Sequence, residues 1–150
     1  MTPPAPAACW HLHCSISVMQ QRGASHPARD DGHVLIVEDE RMSRKALALL
    51  LTACGYHTMA VGSAEEAIRL MQGDDPPDIA LVDVDLPGMS GLDLAERLEG
   101  VTPAVFTVLI TAAEGDRIHT FMREHPVVAH LRKPLDFDCL LELLSESHAQ

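Results

Sequence analysis

The sequence predicts a doubly wound α/β fold built on a parallel sheet. Three observations predict it: five short apolar runs recur along the chain, an amphipathic helical pattern follows each run, and turn residues separate them. The runs are nearly continuous in Val, Ile, Leu and Ala, as expected of strands covered by helices on both faces. Aromatic residues make up only 3% of the 150 residues, so the core must rest on aliphatic side chains.

The pattern begins at His33. Val34-Leu35-Ile36-Val37 reads as the first strand, a bounded β-branched run. Arg41 to Cys54 reads as a helix with Leu47, Leu50 and Leu51 on its buried side, and Gly55 is placed to stop it. His57 to Val61 is the second strand. Ser63 then caps a helix that carries Glu65 and Glu66 in its first turn, where acids complement the helix dipole, and that ends near Gly73. Asp74 to Pro77 is a turn, and Ile79-Ala80-Leu81-Val82 the third strand. After the loop Asp83 to Ser90, a third helix runs through Leu92, Leu94, Ala95 and Leu98. Val105 to Ile110, Asp116 to Glu124 and Val127 to Leu131 alternate strand, helix and strand. The last helix spans about Asp136 to Leu144, with Leu140, Leu141 and Leu144 facing inward. Right-handed crossovers leave few topologies for five such units, among them the flavodoxin-like strand order 2-1-3-4-5.

Residues 1–32 differ from this regular part. Three prolines open a segment without sustained periodicity, read as a disordered or loosely ordered extension ahead of a domain over 33–150. Its Cys9-Trp10-His11-Leu12-His13-Cys14 carries metal-ligand residue types without the paired spacing of a structural zinc site. Four scattered cysteines fit reduced thiols in a cytoplasmic protein. A formal charge of −11 argues against nucleic-acid and anionic-membrane partners, and no run approaches the length of a bilayer span.

In a doubly wound sheet, ligands bind beyond the carboxyl ends of the strands, near the point where strand order reverses. Glu38, Asp39 and Glu40 follow the first strand. Asp83 and Asp85 follow the third, Thr111 and Ala112 the fourth, and Lys133 and Pro134 the fifth. Carboxylates crowded at one edge resist ionisation unless a cation neutralises them. Mg²⁺, a hard ion that takes one or two carboxylates plus phosphate oxygens and waters, suits that set. A carboxylate can also attack phosphorus to give an aspartyl-phosphate, with Lys133 and Thr111 placed to contact the phosphoryl oxygens. Lys133-Pro134 predicts a tight turn in which a cis bond is accessible.

Four signatures in order, Val34-Leu35-Ile36-Val37-Glu38-Asp39-Glu40, Leu81-Val82-Asp83-Val84-Asp85-Leu86-Pro87-Gly88-Met89-Ser90-Gly91, Leu109-Ile110-Thr111-Ala112 and Leu131-Arg132-Lys133-Pro134, resemble the receiver domains of two-component response regulators. The resemblance runs from His33 to the C-terminus, and since the sequence ends within a few residues of the last predicted helix, a stand-alone receiver is expected. It implies Asp83 as phosphoacceptor, Asp39 and Asp83 as Mg²⁺ ligands, the Asp85 carbonyl as a third, and Glu38 acting through water. Thr111, Ala112 and Lys133 would contact the phosphoryl group, and Thr111 with His130 would form the switch. The implied phosphodonor is a histidine kinase or histidine phosphotransfer protein. The output would be contact with a downstream protein target, and the family also admits a phosphorylation-dependent dimer.

Three departures stand out. Glu38 replaces the commoner aspartate, His130 occupies a position often held by Tyr or Phe, and His125-Pro126-Val127 replaces a small Gly-Ala turn, which predicts a shorter or differently tilted fourth helix. Two rival readings are weighed. Asp83-Val84-Asp85 resembles the nucleophile motif of haloacid-dehalogenase-type phosphatases, but those enzymes carry it on the first strand and expect Thr or Val where Pro87 stands. A degenerate receiver used only for docking would usually lack the acceptor, the lysine or the acidic pair, and all are present. The chain is therefore expected to accept phosphate rather than to turn over a substrate.

Overall fold

The computed structural model describes residues 32–101, 104–112, 115–125 and 128–148. Most of the N-terminal extension, with its Cys9–Cys14 cluster, and also Pro126 and Val127 lie outside the described residues.

Five strands and five helices alternate: β1 (His33–Val37), α1 (Arg41–Ala53), β2 (His57–Val61), α2 (Ala64–Met71), β3 (Ile79–Asp83), α3 (Gly91–Glu99), β4 (Phe106–Thr111), α4 (Asp116–Glu124), β5 (Ala129–Arg132) and α5 (Phe137–His148). The strands form one parallel sheet in the order β2-β1-β3-β4-β5. Chain order reverses between β1 and β3, so the ends of these two strands flank the crevice where such sheets bind ligands.

Alternation along each strand sorts the core into two layers. Leu35, Val37, Ala80, Val82 and Leu109 pack beneath Ala67, Met71, Leu94 and Leu98 of α2 and α3. Val34, Ile36, Ile79, Leu81, Val108 and Ile110 pack against Leu51 of α1 and Leu140, Leu143 and Leu144 of α5. At about 25 cal/mol per Å² of apolar surface, each fully buried leucine contributes on the order of 2 kcal/mol. Among the described residues no helix is long and apolar enough to cross a membrane, and Cys54 is a free thiol.

Several element details differ from the sequence reading. Leu50 is 47% exposed while Leu51 is fully buried, because Leu47 and Leu51, four apart, share the sheet-facing stripe and Leu50 lies about 100° round the helix. Leu143 is buried where Leu141 is only partly so. β4 runs one residue further than predicted, so Thr111 ends the strand instead of following it. β5 begins at Ala129 rather than Val127. Asp136 is not the first residue of α5 but its cap: its Oδ1 accepts the Cys139 N–H at 3.1 Å and its carbonyl the Leu140 N–H at 3.1 Å. The predicted cap Ser63 stands as expected, and Ser90, read as the end of a loop, caps α3 by accepting the Asp93 N–H. Ser63 accepts the Glu66 N–H, and Gly55 takes φ +96 just past α1, a left-handed conformation suited to glycine.

Candidate functional site

The site grows out of strand ends. Asp83 is the last residue of β3, so its side chain stays 4% exposed at the sheet edge. β1 ends one residue earlier in the paired register, at Val37 opposite Val82, so the next residue, Glu38, stands beside Asp83. Glu38 is 2% exposed and its neighbour Asp39 is exposed. Glu38, Asp39 and Asp83 each offer an oxygen within 4.8 Å of the others.

Lys133 reaches into this group from the end of β5. Its Nζ donates to Asp83 Oδ2 at 2.8 Å and to Glu38 Oε2 at 3.2 Å. Its backbone N–H donates to the Thr111 carbonyl at 2.8 Å, and the Lys133–Pro134 peptide is cis. The other Asp83 oxygen, Oδ1, accepts the Asp85 N–H at 2.9 Å. Burial pushes the Glu38 carboxyl above its usual range, the Glu40 N–H partly offsets this, and the neighbouring Asp83 charge adds to the rise. For Lys133 burial acts to lower the pKa, but hydrogen bonds and charge from Asp83 and Glu38 outweigh it and raise the ammonium's pKa. One ammonium thus faces at least two carboxylates, with Asp39 close by.

That excess of oxygen ligands fits a hard divalent cation. The oxygens converge, all three are carboxylate, and Glu38 is held in a state that added positive charge would relieve. No nitrogen or sulfur ligand stands in the group, which matches Mg²⁺ better than zinc.

The remaining predicted residues fall around this centre. Asp85 is exposed and joins through its backbone N–H. Thr111 is 2% exposed and sits one residue past Ile110, the register partner of Asp83; Ala112 follows it, exposed. His130 pairs with Leu109, two residues before Thr111, so Thr111 and His130 share one face of the sheet. That is the face covered by α2 and α3.

The supporting roles of three residues escaped the sequence reading. Glu40 caps α1, its two oxygens accepting the Met42 N–H at 2.9 Å and the Ser43 N–H at 2.6 Å. Those bonds hold its carboxyl below the usual range. Arg44 donates from Nη1 to the carbonyls of Glu38 (2.8 Å) and Asp39 (3.4 Å), bracing the acidic pair from behind. A cation so near a helix N-terminus opposes the dipole, and that misfit was the signal available in the sequence. Glu65 accepts the Met89 N–H at 3.2 Å.

Comparison with known proteins agrees with this geometry. A sequence profile described as "Response regulator receiver domain" matches residues 34–145. A cyclic di-GMP phosphodiesterase of Thermotoga maritima is 31% identical over 107 residues, 71% of this chain; the chain spans only 28% of that protein's length. Sporulation initiation phosphotransferase F of Bacillus subtilis is 28% identical over 106 residues, 70% of this chain and 84% of that protein. The solved structure of response regulator protein TrrA from Thermotoga maritima, in complex with Mg²⁺ and BeF, superposes with a TM-score of 0.68 at 25% identity, covering 77% of this chain and 98% of that one. Receiver domains of two-component systems take phosphoryl groups from histidine kinases and signal to downstream partners. With a profile match over most of its length, the expected strand order and an acidic pocket at the sheet's switch point, the chain belongs to the response regulator receiver domain family.

Proposed function

We propose that Asp83 is the phosphoacceptor and that residues 33–150 form the complete phosphoryl-accepting unit. The observation that carries this reading is the pairing of a nearly buried Asp83 with Lys133 at 2.8 Å inside the Glu38–Asp39–Asp83 cluster. An Asp83 oxygen attacks phosphorus, a new P–O bond forms, and the bond from phosphorus to the donor's leaving nitrogen or oxygen breaks, its electron pair departing with the donor. Asp39 and Asp83, with the Asp85 carbonyl and Glu38 through water, would hold Mg²⁺. When bound, that ion supplies neutralisation of the phosphoryl charge. Lys133 transfers its ammonium from the carboxylates to a phosphoryl oxygen, and the Thr111 hydroxyl and the Ala112 backbone contact the others. The phosphodonor is a histidine kinase or histidine phosphotransfer protein in the cytoplasm, and the listener is a protein. Labelling with acetyl phosphate tests the reading: a phosphoryl group should appear on the protein in Mg²⁺ and not in excess chelator.

The signal passes from Thr111 to His130. A dianionic group on Asp83 draws the Thr111 hydroxyl toward it through a charge-assisted hydrogen bond, and His130, on the same sheet face, turns into the space left. His130→Ala should still be phosphorylated, but the beryllofluoride-induced chemical-shift changes along α4 should shrink by about half or more. Shift changes equal to those of the wild type across α4 would remove His130 from the switch.

Residues 1–32 contribute no group to this chemistry. Deleting them should leave the acetyl phosphate labelling rate within about twofold of the full chain, a difference below 0.5 kcal/mol in barrier. A larger loss, measured on the folded deletion variant, would place the extension against the site.

A further inference from the structure

The β2–α2 turn and the first turn of α2 supply no ligand to the acidic cluster, yet they touch the two loops that follow β1 and β3. The Val61 carbonyl accepts the Glu38 N–H at 3.1 Å, fixing the start of the β1–α1 loop. At Gly62 an added Cβ would lie 2.9 Å from Arg44 Nη1, so glycine there leaves room for the guanidinium that braces Glu38 and Asp39. Three residues on, Glu65 in the first turn of α2 reaches across to the β3–α3 loop.

That loop is anchored by Leu86 in the core and by a few backbone hydrogen bonds. Val84 donates to the Ile110 carbonyl at 2.9 Å, Asp85 to Asp83 Oδ1 at 2.9 Å, and Gly91 to the Val84 carbonyl at 3.1 Å. Gly91 packs so tightly on β3 that a Cβ would lie 2.1 Å from the Asp83 carbonyl oxygen, which pins the loop's far end. Between these anchors Leu86 is buried in the core layer beneath α2 and α3, and Pro87-Gly88-Met89 turns beyond it with Met89 partly packed on that layer and Gly88 at φ +76. The Met89 N–H at the close of that turn is given to Glu65 Oε1, 24 residues away in sequence. A Cβ on Gly88 would lie 3.0 Å from the same oxygen, so glycine lets the carboxylate approach as well as permitting the positive φ. The Glu65 carboxyl is held below its usual range by its own backbone N–H and by that of Met89, and it is therefore an anionic acceptor at neutral pH.

We propose that Glu65 is a positioning residue for phosphoryl acceptance: by holding the Met89 N–H it fixes the β3–α3 loop that leaves Asp83 at the end of β3 and carries Asp85. The proposal rests on the phosphoacceptor reading of Asp83 and adds a residue outside the ligand and phosphoryl-contact set. The carboxylate acts as an acceptor of one hydrogen bond, so an uncharged acceptor of the same length should substitute for it. Glu65 is exposed on α2, and its replacement removes no core contact.

The test compares Glu65→Ala and Glu65→Gln with the wild type in three measurements: amide exchange at Met89, the Mg²⁺ titration of the loop amides by NMR, and the initial rate of labelling by acetyl phosphate. In Glu65→Ala, Met89 exchange should rise roughly three- to tenfold, the change that corresponds to one hydrogen bond, and Mg²⁺ affinity and labelling rate should fall by a similar factor. Glu65→Gln should recover most of all three. Unchanged Met89 exchange in Glu65→Ala, or faster exchange with unaltered Mg²⁺ affinity and labelling, would overturn the proposal. So would equal defects in Ala and Gln, because charge and not acceptance would then be at work. If the wild type itself takes no label, the phosphoacceptor reading fails, and the Mg²⁺ titration alone decides whether Glu65 positions the loop.

Discussion

Asp83→Asn is expected to eliminate labelling by acetyl phosphate while leaving a folded protein. A carboxamide is not a nucleophile toward phosphorus near neutral pH, and loss of a covalent nucleophile acts on the scale of about three orders of magnitude or more. The fold should tolerate the change because asparagine is nearly isosteric. Its carbonyl can still accept the Asp85 N–H, and Lys133 keeps its 3.2 Å contact with Glu38. Removing one charge from beside the buried Glu38 also relieves repulsion that contributes to raising that carboxyl's pKa. Circular dichroism and thermal melting of the variant establish that the protein is folded. Full labelling of Asp83→Asn at another residue would end the assignment.

Asp39→Ala is expected to weaken Mg²⁺ binding by more than the roughly 10- to 100-fold that loss of an outer-shell partner costs, because Asp39 is proposed to touch the ion directly. Labelling at low Mg²⁺ should fall in proportion and recover in part when Mg²⁺ is raised. Asp39 is exposed and belongs to no core layer, so the fold should be retained or slightly stabilised by the loss of a like charge. Calorimetric titration with Mg²⁺ separates these effects. Wild-type affinity in the variant, or undiminished labelling of the wild type in excess chelator, would move the metal away from this cluster.

The fold and the centre of the site could be read in the sequence because both depend on local pattern. Apolar runs end abruptly in acids at Glu38 and Asp83, and strand order then brings those ends together. Lys133 was legible for the same reason: it follows a strand directly, where a merely solvated lysine is less expected. Helix faces were less clear. Leu49, Leu50 and Leu51 are consecutive, and composition cannot say which of them turns inward; only the position of the sheet relative to α1 selects Leu51. The braces were least legible. Arg44 bonds to backbone carbonyls, which any residue supplies, and Glu65 to the amide of Met89, 24 residues on. The partners of both contacts leave no compositional trace, since backbone groups look alike at every position, and only the misplaced cation of Arg44 near a helix N-terminus hints at a brace. Asp136 and Glu40 belong to an intermediate class: a capping acid is a recognisable local signal, but it competes with reading the same acid as helix interior or as metal ligand.

The most direct test is to map the phosphoryl group on the wild-type chain. The protein is incubated with acetyl phosphate and Mg²⁺, the acyl phosphate is trapped by borohydride reduction, and the modified residue is located by peptide mass spectrometry. A single modified site at Asp83, lost in chelator, is the predicted result. Modification at Glu38, Asp39, Asp85 or a histidine with Asp83 intact, or label that persists without Mg²⁺, would contradict it.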